Sequence, residues 1–161
     1  MRRNLEAEEE TRTRREVEEA ITDELIRRNR FDLPERLLLW TLDRVIQEAA
    51  GGRQVDEALY DEMAKRYRPA VERSLRREVL LGAVANQEKL SVSDEDVSAE
   101  IERMVQADSR QAARVRARYQ SAERRSALAE ALLERKALDR LIAAAAVTEE
   151  AVEGQVVPAT R

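Results

Sequence analysis

The 161-residue sequence contains no cysteine and no histidine. That excludes disulfides, thiol and imidazole nucleophiles, zinc sites of the usual ligand set and the commonest general base. Neither a cofactor nor a metal is expected. Aromatics are 3% of the residues, with only four glycines and three prolines, so a β-sandwich or barrel lacks both its packing residues and its turns. No apolar run approaches the ~20 residues of a membrane span. Met1-Arg2-Arg3-Asn4-Leu5-Glu6 has no apolar segment behind its two arginines, unlike a secretory leader. A cytoplasmic location with no membrane partner is the expectation. A basic face is missing too: the net charge is −4 with both signs interleaved, so nucleic acid is not expected as a partner. Of the 29 basic residues only Lys65, Lys89 and Lys136 are lysine, which reads as a codon bias more than a recognition device.

What is present is charge, 39% of the chain, in patterns that repeat at helical spacing and point to an all-α fold. Residues 1–30 form one long charged helix, with Glu8–Arg12, Glu10–Arg14, Asp23–Arg27 and Glu24–Arg28 at i, i+4. Val17, Ala20, Ile21, Leu25 and Ile26 give only its second half an apolar stripe. A second helix, within residues 31–50, is the most apolar stretch. Asp32 is its expected cap with Glu35 three residues on, and Pro34 fits its first turn. Leu38, Leu42, Val45, Ile46 and Ala49 make its core stripe. Gly51-Gly52-Arg53-Gln54 is the strongest loop signal.

A short helix over 55–68 and a core helix over 69–89 follow, divided at Pro69, which removes a backbone donor. The core face of the latter is Val71, Leu75, Val79 and Leu80 with Ala83 and Val84. Ser93 as cap with Asp96 opens a helix over 93–107, carrying Val97, Ile101, Met104 and Val105 on one face. A short helix over 110–120 and a long one over 122–147 complete a domain spanning 1–150. The long one presents Leu128, Leu132, Ala137 or Leu138, Leu141, Ile142 and Ala145. Residues 151–161 read as a disordered tail.

Catalytic constellations are poor. Glu18/Glu19, Asp94/Asp96 and Glu149/Glu150 lie at helix starts or on solvated faces, where water and arginine keep carboxylates ionised. Ser74 and Lys65 have no supporting loop, and no glycine-rich phosphate cradle exists. An interaction protein is the reading that remains.

Four stretches, in order, carry a family resemblance. They are Phe31-Asp32-Leu33-Pro34 entering a helix, Arg77-Glu78-Val79-Leu80-Leu81-Gly82-Ala83-Val84-Ala85, Leu90-Ser91-Val92-Ser93-Asp94-Glu95-Asp96-Val97, and Leu133 to Leu141 ahead of Val147-Thr148-Glu149. Together the chain resembles the C-terminal domain of trigger factor, the bacterial ribosome-associated chaperone. The resemblance implies a helical body with protruding helical arms that cradle unfolded or nascent polypeptide without ATP. The family's ribosome-docking and peptidyl-prolyl isomerase domains have no counterpart here, so neither direct ribosome docking nor enzymatic activity is expected of this chain. Surface left bare by a missing connecting helix makes a homodimer a further expectation.

A cradle for unfolded chains needs exposed apolar side chains on rigid helices, ringed by charge. The candidates are Phe31, Leu33, Leu39, Trp40, Tyr60, Met63, Tyr67 and Met104; Met63 and Met104, at helical spacing with other apolar residues, fit a core better than a client surface. With Leu38 set at zero, Trp40 falls at about 200° and Leu39 at about 100° around the second helix, away from the core stripe. The alternative is a structural helical adaptor or homodimerisation module.

Overall fold

The computed structural model describes the backbone of residues 2–153 and the side chains of 11–145. Six α-helices and one 3-10 turn account for nearly all of it, with no strand among the described residues. They are α1 (Arg2–Arg28), α2 (Glu35–Ala50), α3 (Glu57–Gln87), α4 (Asp94–Ala107), the 3-10 turn Ser109–Gln111, α5 (Ala112–Arg118) and α6 (Ala122–Glu153). The chain divides into two units that meet within α3, at Leu80/Leu81.

In the first unit, α2 and α3 share a core of Leu38, Leu42 and Ile46 with Val71 and Leu75. Ala50 is buried where Ala49 was expected, one step closer to the line of Leu38, Leu42 and Ile46. Two departures, at Pro34 and at Pro69, concern how the helices begin and end. Pro34, not Asp32, stands at the N-cap of α2, with no side-chain cap; its carbonyl instead accepts from the Leu37 and Leu38 N–H groups. Gly51 (φ 60°) closes the helix in the left-handed region, its N–H donating to the Glu48 carbonyl. A proline break at 69 does not occur: one helix runs from Glu57 to Gln87, started by the Asp56 carboxylate accepting from the Leu59 N–H at 2.8 Å. Pro69 lies on the exposed face, the side on which a carbonyl that loses its helical partner is open to solvent.

The α1 stripe is shallower than its spacing suggests. Val17 and Ala20 are exposed, Ile21, Leu25 and Ile26 are half-buried, and the buried residue is Thr22, its hydroxyl donating to the Glu18 carbonyl. Glu24 pairs with both Arg27 and Arg28, while Asp23 reaches Arg73 of α3 at 2.9 Å instead of Arg27. The expected Glu8–Arg12 and Glu10–Arg14 pairs fall on side chains outside the described residues.

In the second unit, Val97 and Ile101 of α4 pack with Leu128 and Leu132 of α6. Buried Leu81, Ala85, Ala137 and Leu138 belong to this unit as well, whereas Val79 and Ala83 of the expected stripe are exposed. Ser93 and Asp96 form the expected reciprocal cap: the Asp96 N–H donates to Ser93 Oγ at 3.2 Å and the Ser93 N–H to Asp96 Oδ2 at 3.1 Å. α6 continues to Glu153, so 151–153 of the expected tail are helical, and 154–161 lie outside the described residues.

Two features of this unit make predictions. Lys89 adopts φ 54°, the left-handed conformation that closes α3, with the Leu90 N–H reaching back to the Ala85 carbonyl at 2.8 Å. A side chain in that conformation costs energy that glycine escapes. Lys89→Gly is expected to raise stability by about 0.5–1 kcal/mol in urea unfolding; a loss of stability would mean that the lysine side chain contributes more than its backbone costs.

Glu100 is the buried carboxylate, its side chain 8% exposed, accepting from Arg103 (2.6 and 2.9 Å) and Arg135 (both 3.3 Å). Hydrogen bonds from Arg103, then Arg135, bring its pKa from 4.5 to about 2 despite the opposing effect of burial. A folded pKa below the unfolded one stabilises fully above about 4.5 and loses that stabilisation as pH falls towards 2. Glu100→Gln is therefore expected to cost about 1–3 kcal/mol at pH 7, with the gap to the parent protein closing between pH 4.5 and 2 in the same assay.

Candidate functional site

The α2 helix owes its functional interest to an excess. Leu38, Leu42 and Ile46 are less than a tenth exposed and take the face turned to α3. Residues one and two positions beyond Leu38 must then point outward. Leu39 is 48% and Trp40 61% exposed, and Leu37, which the spacing argument passed over, is 38% exposed. Leu37 and Trp40 are three residues apart and so neighbours on the helix surface. Arg44, one turn on, lies over the indole with its guanidinium carbon 5.2 Å from the ring centroid. The face is thus apolar at its centre and cationic at its edge.

The other candidates occupy different positions. Leu33, Tyr60, Met63 and Tyr67 are half-buried and packed against the core of the first unit. Met104 is likewise half-buried, against the core of the second. Phe31 is half-buried on the link between α1 and α2, where it lines an open cavity of about 520 Å³ with Ile26, Arg27, Arg30, Asp32 and Arg76. Leu59 (42%) and Val79 (47%) of α3 are exposed apolar residues that spacing had assigned to helix interiors or left unmarked.

Ion pairs account for the charged groups of this unit whose pKa departs from its ordinary value. Arg27, then Arg28, hydrogen-bond the Glu24 carboxyl and lower it to about 2; Arg68 and Arg76 lower Glu72. Arg68 spans from Glu72 to Glu35 of α2, tying the two helices at their surface. Glu24 and Glu72 are thus lowered, opposite to what an acid catalyst needs, and no group of potential metal ligands occurs among the described residues. What the arrangement offers is surface.

The model of the bacterial trigger factor C-terminus matches residues 1–143. The chain belongs to the trigger factor C-terminal family. Among curated relatives, the trigger factor of Dehalococcoides mccartyi strain CBDB1 is 26% identical over 150 residues, 86% of this chain and 34% of that protein. That of Rhodopirellula baltica is 28% identical over 165 residues, 95% of this chain and 33% of that protein. That of Treponema pallidum strain Nichols is 32% identical over 124 residues, 73% of this chain and 28% of that protein. The chain thus spans about a third of the length of the trigger factors it matches. No solved structure matches it. Membership supports a chaperone role, and the match is to the family's C-terminal part, outside its isomerase domain. No described helix is long and apolar enough to cross a membrane.

The sole tryptophan reports on this face. Its emission is expected at the red, solvated end in the native protein, and Trp40→Ser is expected to change stability by less than about 1 kcal/mol, the order of one exposed cation–π contact. A blue emission with a cost of ~3 kcal/mol or more, as for a truncated core aromatic, would place Trp40 in a core.

Proposed function

We propose that this chain is the polypeptide-holding part of an ATP-independent cytoplasmic chaperone, and that its outer α2 face, Leu37, Leu39 and Trp40, takes up apolar segments of unfolded or nascent chains. The exposure of Trp40 and Leu39 on a helix whose opposite face is fully buried carries the reading. Unfolded polypeptides present scattered apolar side chains without a fixed shape. A convex, rigid apolar strip ringed by charge binds such segments loosely and stays soluble when empty. Phe31 extends the surface at the start of α2. Leu33, Tyr60, Met63 and Tyr67, half-buried in the same unit, are further candidates for client contact, and Met104, half-buried in the second unit, is a separate one.

No nucleotide enters this scheme. Binding is driven by burial of apolar area at about 25 cal/mol per Å² and released by the client's own folding, which withdraws the same area.

The test is suppression of aggregation of a chemically denatured client at stoichiometric ratio without nucleotide. The chain is expected to slow aggregation, and Leu39→Ser/Trp40→Ser is expected to lose more than half of the protection at unchanged helix content. No protection by the parent protein would remove the chaperone reading. A concentration-dependent blue shift of Trp40 in the absence of client would instead identify the face as a homodimer contact.

A further inference from the structure

The net charge of −4 is a sum over the whole chain and conceals one segment of the opposite sign. Residues 109–125, which span the 3-10 turn, α5 and the start of α6, hold six arginines against a single carboxylate, Glu123. The fold fixes where they stand. Val115 and Tyr119 pack against the core of Val97, Ile101, Leu128 and Leu132, and Arg116 pairs with Glu102 of α4 at 3.0 Å, so α5 is held at a set rotation. Arg125 is engaged as well, donating to Ser98 Oγ at 3.0 Å. Arg110, Arg114, Arg118 and Arg124 remain exposed, and among the described residues none of their guanidiniums makes a hydrogen bond or ion pair. Arg118 only lies over the Tyr119 ring. The nearby Asp108 carboxylate caps the turn instead of pairing with a guanidinium, accepting from the Arg110 N–H at 3.2 Å and from Gln111 Nε2 at 2.8 Å.

Arg110, Arg114 and Arg118 recur every four residues, which sets successive side chains roughly 6 Å apart along the axis. Such a row differs from the interleaved charges of the rest of the chain. Its complement is a partner whose negative charges recur at short intervals with no positive charge between them. A polynucleotide strand has that property, with one phosphate per residue, whereas a protein surface mixes both signs. An anionic membrane is disfavoured, because none of the large exposed apolar residues falls within 109–125 to enter the acyl region.

We propose that the outer face of this segment docks the phosphate backbone of a polynucleotide strand, through Arg110, Arg114, Arg118 and Arg124 and without reading bases. Guanidinium forks suit phosphate oxygens in shape and charge, and contacts of that kind carry no sequence information. The surface lies in the second unit and is independent of the polypeptide-holding reading of α2.

The experiment titrates the full chain into labelled single-stranded RNA of about 20 nucleotides, long enough to cover the row, with binding read by fluorescence anisotropy. At ~0.7 per phosphate on a single strand, four contacts make the affinity fall roughly fiftyfold between ~50 and ~200 mM salt. Arg114→Gln/Arg118→Gln is expected to weaken binding at least about tenfold at low salt and, with two contacts fewer, to make the log–log salt slope shallower by about 1.4. Arg15→Gln/Arg36→Gln removes the same charge from exposed positions of the first unit and is expected to change binding less than about twofold. Both double variants are expected to keep the parent helix content. No binding of the RNA by the parent protein at low salt overturns the proposal. So does an equal loss in the two double variants, which would make the attraction a property of the overall charge. A glutamate peptide of equal length bound as tightly as the RNA would make the partner an acidic protein, and phosphatidylserine vesicles bound in preference to the RNA would make it a membrane; either result overturns the assignment to a polynucleotide.

Discussion

Leu38, Leu42 and Ile46 recur every four residues along α2, and their burial against Val71 and Leu75 fixes where every other side chain of that helix points. Each buried leucine or isoleucine contributes about 1.5–3 kcal/mol relative to exposure. Rotating α2 to cover Trp40 would bring part of that stripe into water and gain one indole in return. The core is one stripe deep on each helix, so it has no second wall for the excess. Exposure of Leu37, Leu39 and Trp40 is thus the outcome of satisfying the core first.

Regular ends keep these long helices in register where glycine and proline are scarce. Asp56, Ser93 and Ser121 each accept a backbone N–H in the first turn of the helix they open, supplying acceptors to donors that would otherwise lack partners. In the second unit the link after α3 is bound to α6 by polar contacts: Arg140 to Glu88 at 2.8 Å, and Lys136 to both the Ser91 carbonyl and Asp96. Exposed pairs of this kind contribute little energy individually, but they select one arrangement of link and helix. Glu100 differs because its carboxylate is out of water and depends on both of its arginines.

The stretches legible in the sequence are those where period and punctuation agree. Leu38, Leu42 and Ile46 announce a core face, and the same 100° per residue places Trp40 opposite to it, as the structure has it. Ser93 and Asp96 announce a cap for the same local reason. Tertiary effects are what sequence reasoning missed. Pro69 reads as a break because its backbone cost is local, whereas the packing of Val71 and Leu75 on one side and Tyr60 and Met63 on the other holds α3 together across it. Val79 reads as core because it continues the Val71–Leu75 spacing, but the buried set passes to Leu81 and Ala85 where one unit gives way to the other. Nor does spacing along one helix reveal pairs such as Asp23 with Arg73 or Glu100 with Arg135, since their partners come from distant segments. The cavity around Phe31 was invisible for that reason, because Arg76 joins Arg27 and Arg30 only through the fold.

The near-replacement of lysine by arginine acquires a consequence at three aromatic rings, whatever its genomic origin. Arg44 lies over Trp40, Arg66 over Tyr67 and Arg118 over Tyr119, with guanidinium carbons 5.2, 5.9 and 5.8 Å from the ring centroids. A guanidinium is planar and weakly hydrated, so it stacks on an aromatic face more readily than an ammonium and shields part of it from water. Such a contact contributes about 0.5–1 kcal/mol at an exposed site, enough to cover an apolar ring and weak enough to be displaced by a better apolar partner. Lysine at position 44 would keep the charge but give up the stacked plane. The outer face of α2 therefore joins two demands that usually conflict, solubility of the empty surface and ready access to its indole, through one side chain a single helical turn away.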